Sequence, residues 1–329
     1  MSDAVVVTGA TGFLARHLLP QLGADVVACV RDRRTWDAEP WTGALAARVV
    51  ESSLAEAERR LADLGSARAV LHLAALVEHS RAHADAVYAA NVDGTLAAVR
   101  LAARLGACLV LVSTSGTVGC FRDASGRADE TAPFCEEVVR SWPYYHSKLV
   151  AERRARALAE ELGVELVVVR LPILLGPDDH RGRSTGHVRR FVEGRLPFLV
   201  AGGIQVVDVR DVAPALAALV ARGSRRPVYH LAGFAGSSAD FFDACGKLVG
   251  RAAPRRLPYA VAWGLAAASA RAAQLTGGRS KLPDPVVVEM ARCHWNVTSR
   301  WADELGFAAR PLERTLADTV AWLRGAPRR

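Results

Sequence analysis

The chain has 329 residues, about half of them apolar, 23% charged and only 6% aromatic, which is the balance of a globular protein with a large core, in one big domain or two smaller ones. Its net charge of +8 comes from arginines spread along the chain, many beside Glu or Asp, so no nucleic-acid partner is expected. The N-terminus runs straight into AVVVTGATG without a basic region or cleavage site, and the six cysteines are scattered without a CxxC pair. A cytoplasmic protein with reduced thiols is therefore expected.

Taken in order, short β-branched runs alternate with longer helical patterns. Strands are expected at 4–8, 25–30, 47–50, 68–73, 108–113 and 165–170, and helices near 12–22, 54–64, 82–105 and 144–162. The strand runs are continuously apolar, as in a parallel sheet covered on both faces. The alternation predicts an α/β fold of Rossmann type, a doubly wound parallel sheet with a smaller C-terminal substrate lobe. Short strands at 205–209 and 227–231 are expected to return to the same sheet. This divides the chain into a dinucleotide-binding domain, 1–170 with 205–232 returning, and a lobe of 171–204 and 233–329. The most apolar stretch, YAVAWGLAAASA at 259–270, is too short to span a bilayer and is expected to be a core helix, so no integral membrane segment is expected.

The first strand leads directly into VVVTGATGFLARHL. Gly9 and Gly12 permit a tight turn and close backbone approach to a pyrophosphate, and Ala15 supplies a third small residue for helix–strand packing. The second strand ends in VVACVRDRR. An NAD site wants an acid at this strand end, for the ribose 2′-OH. Here Val30 is followed by Arg31, which can clamp a 2′-phosphate, with Arg33 or Arg34 adding a second charge. NADP(H) is the expected cofactor; Asp32 as the ribose acid would instead mean NAD(H).

Of 42 basic residues only Lys148, Lys247 and Lys281 are lysines. Lys148 follows Tyr144 by four positions in SWPYYHSK, one turn apart on one helix face. Ser141 can cap this helix, and Pro143 is tolerated in its first turn. A nearby ammonium favours the phenolate and is expected to lower the tyrosine pKa, while its three donors suit ribose hydroxyls. LVLVSTSGTVG places Ser113, Thr114 and Ser115 at a strand end, where any of the three hydroxyls could orient a substrate oxygen. The histidines, His79, His146, His180 and His187 among them, are isolated, and no metal is expected.

Together these pieces resemble the extended short-chain dehydrogenase/reductase superfamily over nearly the whole chain. The turn is TGATGFLA; His72-Leu73-Ala74-Ala75 matches an HxAA element; NVDGT contains Asn91; SGTVG selects Ser115; Tyr144 and Lys148 form the YxxxK pair; RLPILLGP matches RPxxxxGP with one residue inserted. VRD after the second strand and the stretch from GPDDHRG to VDVRDVA are most similar to the dihydroflavonol-reductase-like and 3β-hydroxysteroid-dehydrogenase-like branch. The resemblance implies Tyr144 as general acid/base, Lys148 on the nicotinamide ribose, Ser115 on the reacting oxygen and a structural Asn91. It implies cofactor contacts from Thr8, Gly9, Thr11, Gly12, Phe13, Leu14, Leu73, Ala74 and Ala75, with Pro172, Ile173 and Leu174 beside the nicotinamide.

The implied activity is NADPH-dependent reduction of a ketone, or the reverse oxidation of an alcohol. Loops at 76–88, 116–142, 176–203 and 233–285 would shape a pocket for a hydrophobic, secondary-metabolite-like substrate. A nucleotide-sugar epimerase with retained NAD is the rival, with Arg181, Arg183, Arg189, Arg190 and Arg195 available to a diphosphate; a non-catalytic NADP(H) sensor is a third option. Sugar 4,6-dehydratases carry Thr-Asp-Glu where this chain has Ser113-Thr114-Ser115, so water elimination is not expected. The acid often found near the adenine is replaced by ESS at 51–53. A homodimer through a helix pair is a family option.

Overall fold

A computed structural model describes residues 3–23, 25–278 and 280–325. The last four residues of the expected 233–329 segment lie outside these. The strands are β1 (Val5–Thr8), β2 (Val26–Val30), β3 (Ala47–Glu51), β4 (Ala69–His72), β5 (Cys108–Thr114), β6 (Cys120–Phe121), β7 (Leu166–Leu171), β8 (Ile173–Leu175), β9 (Gly203–Asp208), β10 (Val228–His230), β11 (Ala235–Ser237) and β12 (His294–Trp295). Seven of them form one parallel sheet in the order β10-β7-β5-β4-β1-β2-β3. The order runs outward from β1 in both directions, the doubly wound pattern, which opens a crevice at the carboxyl ends of β1 and β4.

Period-two alternation explains why the strand runs are apolar throughout. Val5, Val7, Val26, Ala28 and Val110 bury into one core with the helices Phe13–Leu18 and Val209–Arg222. Val6, Val27, Cys29, Leu109 and Leu111 bury into a second, with the helices Gly94–Leu105 and Pro143–Leu162. Both faces of the central strands are packed, so the polar residues they carry, such as Thr8, His72, Arg170 and His230, are buried and hydrogen-bonded.

Three expectations are corrected. The 205–209 run does not join the large sheet: β9 pairs with β8 and β11 in a separate three-stranded sheet. Only the later run returns, as β10 beside β7. Apolar runs state that a strand is buried, not which neighbour buries it. The expected helix at 82–105 is interrupted by a π-helical turn, Ala89–Asp93, around Asn91. The stretch at 259–270 forms a helix, Tyr259–Thr276, but not a core one. It buries Ala262 and Ala266 against Phe198, Val200 and Val288, while Val261, Leu265 and Leu275 are 50%, 48% and 75% exposed. Among the described residues no helix is long and apolar enough to cross a membrane.

Candidate active site

The glycine turn forms as its sequence requires. The Gly12 N–H donates to the Gly9 carbonyl at 2.9 Å. Gly9 has φ +70°, and a Cβ there would lie 2.7 Å from the Ala74 nitrogen, so only glycine fits beneath the loop after β4. That loop is held from the other side by His72, whose ring bridges the hydroxyls of Thr8 at 2.8 Å and Thr95 at 3.3 Å. Burial drives the His72 pKa down to about 3, so it serves as a neutral bracket.

Above the turn lies a cleft of about 650 Å³. Its wall includes Gly9, Thr11, Gly12, Phe13, Leu14, Arg31, Leu73, Ala75, Ser115, Tyr144, Lys148, Pro172, Ile173 and Leu174. Thr8 and Ala74 support this wall without forming it. Arg33 is turned elsewhere: its Nε donates to Asp37 at 3.1 Å and its backbone N–H to Glu51 at 3.2 Å. Asp32 is occupied as a helix cap, accepting from the Arg34 N–H at 2.9 Å. Arg31 lines the cleft without an ion pair or hydrogen bond among the described residues.

The helix Pro143–Leu162 carries the Tyr144/Lys148 pair. Pro143 takes its first position as expected, but Trp142, not Ser141, is the N-cap, and no side chain caps it. Lys148 is buried, and its Nζ donates to the Val112 carbonyl on β5 at 2.9 Å. Burial brings its pKa down to about 8, opposed by the charge of Glu152 one turn on. The Tyr144 ring packs edge-on against His79 and Tyr145, with centroids 5.6 and 5.1 Å away. Burial pushes its pKa up to about 12, so the expected lowering is not met here. The enclosed wall penalises the charged phenolate.

Of the three strand-end hydroxyls, Thr114 is spent accepting from the Gly116 N–H at 3.2 Å. The Ser115 and Tyr144 hydroxyls have no hydrogen-bond partner among the described residues, and both face the cleft. Gly116 keeps the turn narrow, because a Cβ there would overlap the Tyr145 ring. Asn91 holds the loop to this helix: its amide bonds both backbone groups of Leu76, at 2.8 and 3.1 Å, and donates to Ser147 Oγ at 2.9 Å. Ser147 in turn donates to the Tyr144 carbonyl at 2.7 Å. A structural role for Asn91 follows from these contacts.

The wall combines candidates already named, Ser113, Arg181 and Arg183 among them, with residues not evident from sequence, such as Arg16 and those of the helix Pro285–Ala291. Ser113 Oγ is buried without a hydrogen-bond partner, while Arg16, whose Nη1 also lacks a hydrogen bond, is ion-paired to Asp178 at 3.3 Å and Glu39 at 3.9 Å; both residues line the cleft. Arg16 follows the third small position of the glycine turn, a helical placement that could have flagged it. Arg181 donates to Thr11 Oγ1 and Arg183 to the Val77 carbonyl, both at 3.1 Å, so the segment after β8 straps across the opening. Val287, Val288 and Met290 from the helix Pro285–Ala291, with Trp295 on β12, close the far end beyond the expected loops. The β12–β6 pairing, with bonds from Gly203 to Cys293 and between Gln205 and Val297, brings that distant segment back.

A doubly wound sheet with a phosphate-type turn and a Ser–Tyr–Lys set at its crevice defines an NAD(P)-dependent oxidoreductase. Comparison with known proteins narrows this. The model of the NAD dependent epimerase/dehydratase family matches residues 5–232, and the chain belongs to that family, within the extended short-chain dehydrogenases/reductases. A Synechocystis sp. protein bearing the dihydroflavonol 4-reductase name is 28% identical over 339 residues, covering 98% of this chain and 95% of that one. The crystal structure of gox2253 superposes with a TM-score of 0.79 at 26% identity, over 98% of both chains. The UDP-glucose 4-epimerase of Thermus thermophilus, in complex with NAD, shares the fold with a TM-score of 0.72 at 21% identity, over 98% of this chain and all of that one.

Proposed function

We propose that this protein is an NADPH-dependent ketoreductase for a hydrophobic ketone, working in the cytoplasm. The observation that carries the reading is that two unpartnered hydroxyls, Ser115 and a phenol kept neutral by burial, both lie on the wall of one cleft. A neutral phenol is the form that gives up a proton, which suits reduction. Residues 1–170 with 205–232 are assigned to the cofactor, and 171–204 with 233–329 to the substrate.

The residues fit a nicotinamide dinucleotide. The unpartnered Ser113 Oγ lies on the wall that would hold it, Gly9 and Gly12 give backbone access, and Lys148 on the same wall would meet the ribose. Arg31 has no ion pair among the described residues and favours a 2′-phosphate, and Asp32 is occupied elsewhere, so NADPH is preferred over NADH. When bound, the nicotinamide supplies the hydride to the carbonyl carbon. Ser115 and Tyr144 donate hydrogen bonds to the carbonyl oxygen and stabilise its developing charge. Tyr144 then transfers its proton to that oxygen. The Lys148 ammonium steadies the phenolate left behind and recovers the resting state by proton exchange with solvent.

The apolar far end, Phe198, Val287, Val288, Met290 and Trp295, excludes water and suits an aryl or aliphatic ketone. One observation favours the rival epimerase: Arg181, Arg183 and Arg190 line the cleft and could meet a diphosphate. Incubation of the purified protein with NADPH or NADH, a panel of apolar ketones and UDP- or dTDP-sugars separates the two. Stoichiometric NADPH consumption with a ketone is expected. Interconversion of a nucleotide sugar without net cofactor change would contradict the reading.

A further inference from the structure

His79 lies on the loop after β4 and lines the cleft. Its ring stands edge-on to Tyr144, at 89° and 5.6 Å between centroids, and nearly parallel to Tyr145, at 19° and 6.1 Å. Trp295 continues the same wall, 4.7 Å from the Tyr145 ring. The Tyr144 ring is therefore flanked by an imidazole that packs against two tyrosines.

Neither ring nitrogen of His79 makes a hydrogen bond among the described residues. Nδ1 is sealed from solvent without a partner, which leaves Nε2 as the open nitrogen. Glu78 is turned to the backbone, where its Oε1 accepts from the N–H groups of His79 at 2.8 Å and Ser80 at 3.0 Å. With no carboxylate bonded to it, the ring is held neutral by burial, which lowers its pKa below the usual value despite the charges of Glu78 and Asp284. A neutral imidazole carries one proton, and a sealed nitrogen without an acceptor is the costly place for it. The proton belongs on Nε2, as a donor into the cleft.

We infer that His79 is a substrate-binding residue whose Nε2–H donates to a second substrate oxygen, on the carbon next to the reacting carbonyl or the one after it. The substrate class is then an oxygen-bearing ketone rather than a simple hydrocarbon one. This rests on the reductase reading. Ser115 and Tyr144 share the reacting oxygen, so the neighbouring donor is left for another. The ring centroids are 5.6 Å apart and both residues line one cleft, so the two oxygens belong to neighbouring parts of one ligand. A site with a donor in place discriminates against the ligand that lacks its acceptor.

The test compares kcat/KM for propiophenone and its α-hydroxy derivative in the wild type, His79→Leu and His79→Gln. The wild type is expected to favour the hydroxyketone about tenfold, the equivalent of one good hydrogen bond. His79→Leu should bring that ratio close to one, and His79→Gln, whose amide still donates, should retain part of it. His79→Phe, which keeps a ring against Tyr145 without the donor, replaces His79→Leu if the latter does not fold. A ratio unchanged in the donor-free variant, or a wild-type ratio near one, overturns the inference while the reductase reading stands.

A second arm needs no turnover. Calorimetry in the presence of NADP⁺ compares the phenylpropane vicinal diol with the mono-alcohol. Tighter wild-type binding of the diol, lost in His79→Leu, supports the His79 assignment even if neither ketone is reduced, in which case it is the reductase reading that falls. Equal binding of diol and mono-alcohol by the wild type overturns the assignment.

Discussion

Lys148 and Glu152 sit one turn apart on the helix Pro143–Leu162, and both are buried. Around Glu152 every charge is answered. Arg170 reaches it with two bonds, at 2.6 and 3.2 Å, Arg156 adds a third at 2.9 Å, and Arg170 is backed by His230 at 3.3 Å. Around Lys148 the only partner among the described residues is one backbone carbonyl, and burial drags its pKa down to about 8. The first arrangement is one a fold makes to hold β7 against a helix. The second leaves an ammonium short of partners on a cleft wall, where under the proposed function an incoming ligand would complete it. A buried polar group left short of partners on a cleft wall is thus the better guide to function, and the same logic singles out Ser115, Tyr144 and His79.

The comparison can be broken most severely at the satisfied end. Arg170→Met leaves the Glu152 carboxylate buried with only Arg156, and should destabilise the protein by about 3–5 kcal/mol in urea unfolding. If it costs less than about 1 kcal/mol, the network is not holding the sheet to the helix. At the unsatisfied end the stability effect should reverse. Lys148→Met removes an under-paired ammonium and should raise the urea midpoint near neutral pH, while lowering kcat/KM for a ketone by about a hundredfold or more. Lost stability together with intact activity would place Lys148 among the structural residues.

The pH dependence sharpens the same contrast. The Lys148 pKa falls from 10.5 to about 8 on folding, so between those values the unfolded chain holds a proton that the folded one does not. Its contribution to stability therefore rises with pH across that window, and Lys148→Met should lack the rise. In the free enzyme the ammonium is lost as pH climbs through about 8, so kcat/KM should decline there. A flat profile through that range would contradict the role given to the charge. The smallest expected effect is at the rim: Arg31→Ala should reduce the preference for NADPH over NADH about tenfold, read from the two KM values.

The cofactor half was legible because its signals are local. A glycine turn, continuous apolar strands and a four-residue spacing each specify structure within a few positions, and the strands fall within a residue or two of expectation. The substrate half was not, because its walls are assembled from segments far apart in sequence. Trp295 reaches the cleft through β12 pairing with β6, a contact no local pattern announces. The helix Tyr259–Thr276 misled for another reason: average apolarity reveals neither which face is buried nor that its buried residues are two alanines. Spacing also placed Tyr144 and Lys148 on one face but did not reveal that the Nζ would be bonded to Val112, or that burial would keep the phenol protonated.

The most direct measurement is NADPH oxidation by Tyr144→Phe with a ketone that the wild type reduces, alongside calorimetric titration of NADP⁺. Loss of at least about a thousandfold in kcat with cofactor affinity within about twofold of wild type is the predicted result. Turnover that survives removal of the phenolic proton would show that some other group protonates the substrate oxygen.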